Sequence, residues 1–184
     1  MLDHELHALI YLLRQGQSLR GATDIEGNLH QLLLSQARSN EDTVLQEWVH
    51  NGTYLSHDII NELSNLISNS ILREIIKDIK KVNYFALIAD ETMDIARKEQ
   101  LCVALRWVDD RFEVFEDTLG LVQLDETNAE CITAAIIDAL TRCNLDLLNC
   151  RDQAYDGAAT MSGAYSGVAT RVSAHEPRAF YVYC

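Results

Sequence analysis

Hydrophobic positions change their period once along this chain, close to Tyr84. Before that point they recur at three- and four-residue steps, the mark of one buried helical face. Leu6, Leu9, Ile10 and Leu13 form a first stripe, and Leu29, Leu32 and Leu33 begin a second after Gly27. A third, short helix is predicted over residues 40–50. Ser56 is placed to cap a long helix whose stripe is Ile59, Ile60, Leu63, Leu66, Ile67, Ile71, Ile75 and Ile79, with Ser68, Asn69 and Ser70 a weak point in its middle. Residues 1–82 therefore read as an all-helical lead-in, and residues 83–184 as a second region of different character.

In that second region, residues 84–89 are a continuous apolar run, too short for an ordinary helix, and predict a strand buried on both faces. The run stops at an acidic turn, Asp90, Glu91, Thr92, Met93 and Asp94. Residues 101–108 and 111–124 predict two further strands, with Asp109 and Asp110 as a tight hairpin between them. Thr127 and Glu130 have the spacing of a capping box, ahead of Ile132, Ala135, Ile136, Ala139 and Leu140 on one helical face, and Asn144 can end that helix. A fourth strand is predicted over 147–151, then a glycine-bearing stretch, a helix near 168–174 and a fifth strand over 179–184 after Pro177. Three strands in sequence followed by two helical crossovers is the ribonuclease-H-like order of a mixed α/β sheet, whereas a Rossmann-type chain alternates helix and strand from its start.

Composition adjusts this picture in three respects. With 48% hydrophobic and 23% charged residues in 184, the chain can bury a core, and no run approaches the ~20 apolar residues of a membrane span. The residues after Met1, Asp3, His4 and Glu5, lack the basic-then-apolar order of a secretory signal, so an intracellular, soluble protein without a membrane partner is expected. Five cysteines, odd in number and without a Cys-x-x-Cys pair, predict neither a disulfide framework nor a zinc finger: Cys102, Cys131 and Cys143 read as core thiols, and Trp48 and Trp107 as packing residues. A net charge of -13 repels a polyanion and argues against this chain gripping DNA alone, while it suits a divalent cation.

The candidate chemistry rests on Asp90, at the end of the first predicted strand, and Asp156, just after the fourth. In a sheet of this order those strands are neighbours, so both carboxylates point into one space, where at about 4–6 Å they repel unless a cation or proton lies between them. Mg²⁺, a hard ion that prefers oxygen ligands, fits such a pair. Paired ions about 3.5–4 Å apart would activate an in-line phosphodiester displacement. Aspartate after a strand is also a common turn former or helix cap, and Asp94 reads first in that way. Glu91 reads as solvated or supporting, and Asp152 as a reserve ligand. Gly157 and Gly163 do not have phosphate-loop spacing and no lysine follows, which excludes nucleotide binding by that motif and favours a tight strand-to-helix turn. His175, beside Glu176, reads as a surface histidine at a helix end.

Three stretches carry a resemblance: Tyr84-Phe-Ala-Leu-Ile-Ala-Asp90-Glu-Thr-Met-Asp94, then Glu99-Gln100-Leu-Cys-Val-Ala-Leu-Arg106-Trp-Val-Asp, then Tyr155-Asp-Gly-Ala-Ala-Thr-Met-Ser-Gly163. With Ser18-Leu-Arg-Gly21, Gly27-Asn28 and Tyr54-Leu-Ser56 upstream, they resemble the hAT-type transposase-like proteins that include the zinc finger MYM-type protein 1 group. That resemblance implies a ribonuclease-H-like core of the DDE-transposase lineage. Its Asp, Asp, Glu triad binds Mg²⁺ or Mn²⁺, with Asp90 as the first aspartate and Asp156 as the second.

The family's glutamate is expected beyond Cys184, as are a zinc finger that brings DNA upstream and a dimerising region downstream. The sequence departs from the family at Thr160, commonly Asn, and at Asp152, commonly Gly; Tyr-Val-Tyr-Cys184 matches the start of a Cys-x-x-His motif. The resemblance thus implies a nuclear protein that engages DNA only as a full-length relative, takes no small-molecule substrate and is inactive as this chain alone. The alternative is a domesticated, non-enzymatic module for protein contacts or transcriptional regulation.

Overall fold

In the computed structural model, which describes residues 1–52 and 54–183, the chain divides into two compact units, Met1–Ile71 and Leu72 onward. The first unit is built from α1 (Leu2–Arg14), α2 (Asn28–Ser39), α3 (Thr43–His50) and the opening turns of α4 (His57–Val82). Its core gathers Leu9, Leu12, Leu33, Leu45, Val49 and Ile60. The phase of α1 differs from the leucine pattern. Glu5, Ala8, Leu9 and Leu12 face inward while Leu13 is exposed. A carboxylate on the buried face hid the true stripe from hydropathy. α3 starts later than predicted because Asp42 caps it, its carboxylate accepting from Leu45 N at 2.9 Å. The Ser56 hydroxyl accepts from Ile59 N at 3.4 Å as the sequence implies, and α4 runs unbroken through Ser68, Asn69 and Ser70, although Leu66 and Ile71 of its predicted stripe are exposed.

The motif residues of the lead-in form one knot in this unit. Asn28 donates to Ser18 O at 2.8 Å, Leu29 N donates to Leu19 O at 3.2 Å, and Arg20 donates to Asn61 at 2.7 Å. A side chain at Gly21 would meet the Glu26 carbonyl at 2.7 Å. Together these contacts close the loop between α1 and α2.

The second unit carries β1 (Phe85–Met93), β2 (Glu99–Val108), β3 (Val114–Gln123), α5 (Ala129–Arg142), a 3-10 turn (Leu147–Asn149), β4 (Cys150–Tyr155), α6 (Ala159–Ser162), α7 (Val168–His175) and β5 (Phe180–Tyr183). The sheet order is β3-β2-β1-β4-β5, antiparallel across the first three strands and parallel from β1 to β4 to β5. This is the expected ribonuclease-H-like mixed sheet after a helical region. Both crossovers advance in the same direction across it, so right-handed connections bring α5 and α7 to one face, where they pack on each other. Leu87, Ala89, Leu101, Val103 and Leu105 point to that face, with Ile132, Ile136 and Val172 above them.

Several predicted boundaries move. β1 does not stop at the acidic residues: it continues through Met93, paired with β2 down to Met93 opposite Glu99, and the turn lies beyond it at Asp94. Nor is it buried alike on both faces, since buried and half-buried residues alternate along it. The β2–β3 connection is wider than a two-residue hairpin, with Asp109 accepting from both Arg111 N and Glu113 N and Phe112 at a positive φ of 63°. Asn128, not Thr127, caps α5, accepting from Cys131 N at 2.9 Å. The fourth strand begins at Cys150 because Asp146 first caps the 3-10 turn over Leu147–Asn149. The fifth begins at Phe180, and Cys184 lies outside the described residues. Cys143 and Cys150 are buried free thiols, while Cys102 and Cys131 are only half-buried.

Candidate functional site

Register fixes the site. Along β1 and β4 the register shifts once, between Phe85, which pairs with Cys150, and Ala86; beyond the shift the parallel pairs are Ala86 with Asp152, Leu87 with Gln153 and Ile88 with Ala154, an offset of sixty-six residues. Carried two residues further, that offset sets Asp156, the first residue after β4, beside Asp90, which lies within β1. Adjacent strands are about 4.8 Å apart. Both aspartates are exposed at the same end of the sheet. Asp152 sits four residues back, opposite Ala86, and does not reach that end.

Local structure holds Asp156 in place. Its Oδ1 accepts from Ala158 N at 3.1 Å, an Asx turn that starts the descent into α6, and its carbonyl accepts from the Tyr181 hydroxyl at 3.1 Å. The glycine stretch that follows is a tight turn, as its composition implies. Gly167 N donates to Gly163 O at 2.9 Å, and a side chain at Gly163 would strike the Ala159 carbonyl oxygen at 2.5 Å. At the other strand, Asp94 is a turn former: its carboxylate accepts from Lys98 N at 2.8 Å and from Gln100 at 3.4 Å.

Glu91 is the residue whose role pattern reading understated. It is half-buried, and its Oε1 is buried without a hydrogen-bond partner among the described residues. Burial first, then the charges of Glu99, Asp156 and Asp90, push its carboxyl above the ordinary range. A carboxylate that feels both aspartates marks a rim of concentrated negative potential. The only sign in the sequence was the run Asp90-Glu91 itself.

The donor pair suits a hard divalent ion: two exposed carboxylates on neighbouring strands, Asp90 within β1 and Asp156 directly after β4. Among the described residues no group of three or more His, Cys, Asp or Glu is spaced to hold a metal. Other acid-base candidates serve structure. His175 is exposed at the end of α7, while Glu176 is buried against Arg178, whose hydrogen bonds pull its carboxyl down to about 2.

Comparison with known proteins agrees with this architecture. A family model described as ZMYM1/FAM200, RNase-like domain, matches residues 1–167. The 52 kDa repressor of the inhibitor of the protein kinase from Mus musculus is 26% identical over 161 residues, covering 85% of this chain and 21% of that protein. The Homo sapiens protein of the same name matches with the same identity and coverage. The chain therefore spans about a fifth of the length of these curated relatives. No solved structure matches it.

Proposed function

The chain belongs to the ZMYM1/FAM200 RNase-like domain family, and from that membership we propose that it is a domesticated, hAT-type transposase-derived ribonuclease-H-like module that keeps a weak divalent-cation position at Asp90 and Asp156. The observation that carries this reading is the β1–β4 register, whose offset matches the separation of the two aspartates. Two carboxylates, with no third ligand among the described residues, leave most of a Mg²⁺ or Mn²⁺ coordination sphere to water, so the affinity of the pair is low. A bound ion would supply charge stabilisation to the attacking and leaving oxygens of a phosphodiester. Asp90 offers its carboxylate from a paired strand, and Asp156 offers the oxygen its Asx turn leaves free. Asp90 and Asp156 by themselves are expected to support neither transposition nor strong nuclease action, because a site of this kind that lacks one ligand loses orders of magnitude.

The biological role that fits best is nuclear and regulatory. The curated relatives are named as repressors, and a net charge of -13 disfavours direct contact with DNA by this segment. DNA engagement belongs to longer relatives, and protein contacts to this module. Thermal unfolding of the chain and of Asp90→Asn during Mn²⁺ titration tests the site. A metal-dependent rise in melting temperature that the variant loses supports it. An equal response, or none in either protein, removes the cation from the account and leaves the regulatory reading.

A further inference from the structure

Asp156 stands just outside the ladder that presents it. β4 pairs with β1 as far as Ala154, opposite Ile88, and with β5 as far as Tyr155, opposite Tyr183, so no described ladder pair includes Asp156. An exposed residue just beyond a strand is free to change backbone and rotamer unless other contacts fix it. Its Asx turn to Ala158 orders the segment that follows, at the expense of one carboxylate oxygen.

β5 supplies the fixation with two tyrosines on one face of the strand. Tyr181 lies opposite Gln153, and its ring stacks on that of Tyr155, with centroids 6.2 Å apart and planes 24° from parallel. Tyr155 is fully buried and anchors the half-buried ring beside it. From that seat the Tyr181 hydroxyl donates to Asp156 O at 3.1 Å, with Tyr155 O 3.4 Å away. Tyr183 covers the next peptide: a side chain at Gly157 would meet its Cε2 at 2.6 Å, so the ring edge occupies the space a larger residue would need. We infer that Tyr181 and Tyr183 are positioning residues that clamp the Asp156–Gly157 peptide and thereby hold the Asp156 carboxylate in one rotamer beside Asp90. The rotamer needs no ion; its consequence for Mn²⁺ rests on the cation reading proposed above. An ion held by few protein groups gains most from groups already in place, which is what residues behind a ligand supply.

The test is NMR on the full chain, wild type and Tyr181→Phe, a change that keeps the ring and removes the hydroxyl. Without metal, three-bond couplings report χ1 of Asp156, and hydrogen exchange reports the Ala158 amide that donates to its carboxylate. Wild type is expected to show one Asp156 rotamer. In Tyr181→Phe the couplings move to averaged values and Ala158 exchanges about fivefold faster, the ratio one ordinary hydrogen bond supplies, while amides inside β4 are unchanged. Mn²⁺ titration then gives the variant a midpoint about tenfold weaker at Asp156 and Gly157. Tyr165→Phe removes a hydroxyl from a side chain that is 98% exposed and leaves every readout at its wild-type value. Tyr183→Ala, at a residue 73% exposed, is expected to average the same couplings, and it decides the matter if Tyr181→Phe loses its fold. Unchanged couplings and exchange in Tyr181→Phe overturn the inference. So does faster exchange spread over all of β4, which marks general loosening, and so do averaged couplings joined to the wild-type Mn²⁺ midpoint. A wild type that ignores Mn²⁺ removes the cation reading alone, because the metal-free couplings still decide the clamp.

Discussion

Glu5 is the most exacting single position in the first unit. Its side chain is 0% exposed and neither carboxylate oxygen finds a hydrogen-bond partner among the described residues. Burial pushes its carboxyl up to about 7, so the folded state holds the proton more tightly than the unfolded chain does. The stabilisation from the protonated form is complete below about pH 4.5 and is lost as pH rises through about 7. Glu5→Gln, which keeps the shape without the charge, is expected to raise stability at pH 8 by up to about 3 kcal/mol and to flatten the pH dependence between 5 and 8. Chemical denaturation at a series of pH values checks this; identical pH profiles for both proteins would contradict it. The same residue explains a misreading of the sequence. Leucine spacing points to a stripe through Leu13, whereas the buried face is Glu5, Ala8, Leu9 and Leu12, because hydropathy does not register a buried carboxylate. The adjacency of Asp90 and Asp156, by contrast, follows from the order of elements, which makes β1 and β4 neighbours, even though Asp90 lies within β1 and not at its end.

At the scale of elements, local chemistry decided where sequence reading succeeded. The presence of a long α4 and the face of α5 were plain because apolar spacing runs over several turns, although Leu66 and Ile71 of the α4 stripe are exposed. β4 was displaced by several residues because its interior, Arg151, Asp152 and Gln153, is polar and resembles a loop. Gln153 belongs there for a reason hydropathy cannot express. It is fully buried, and its amide donates to Ala169 O at 3.1 Å, Ser173 Oγ at 2.9 Å and Ala179 O at 2.9 Å, tying β4 to α7 and to the residue before β5. Gln153→Ala should therefore destabilise the fold by about 2–4 kcal/mol, since it opens a cavity and strands buried acceptors. Urea denaturation gives the value. A loss within about 0.5 kcal/mol, the range of an ordinary surface change, would show that the amide is not the tie described.

For the whole molecule, the order β3-β2-β1-β4-β5 follows from three antiparallel strands and two crossovers in one direction, and that order was deducible from the sequence of elements. Negative charge is read from composition, but its placement along one sheet end needs the register. The central claim is that two acidic side chains, far apart in sequence, meet at one sheet end able to share a cation. Paramagnetic broadening of amide signals by substoichiometric Mn²⁺ tests it most directly. Signals at Asp90 and Glu91 and at Asp156 and Gly157 are expected to vanish together, ahead of those at other acidic residues. Broadening at one segment without the other, or spread evenly over the acidic surface, would contradict it.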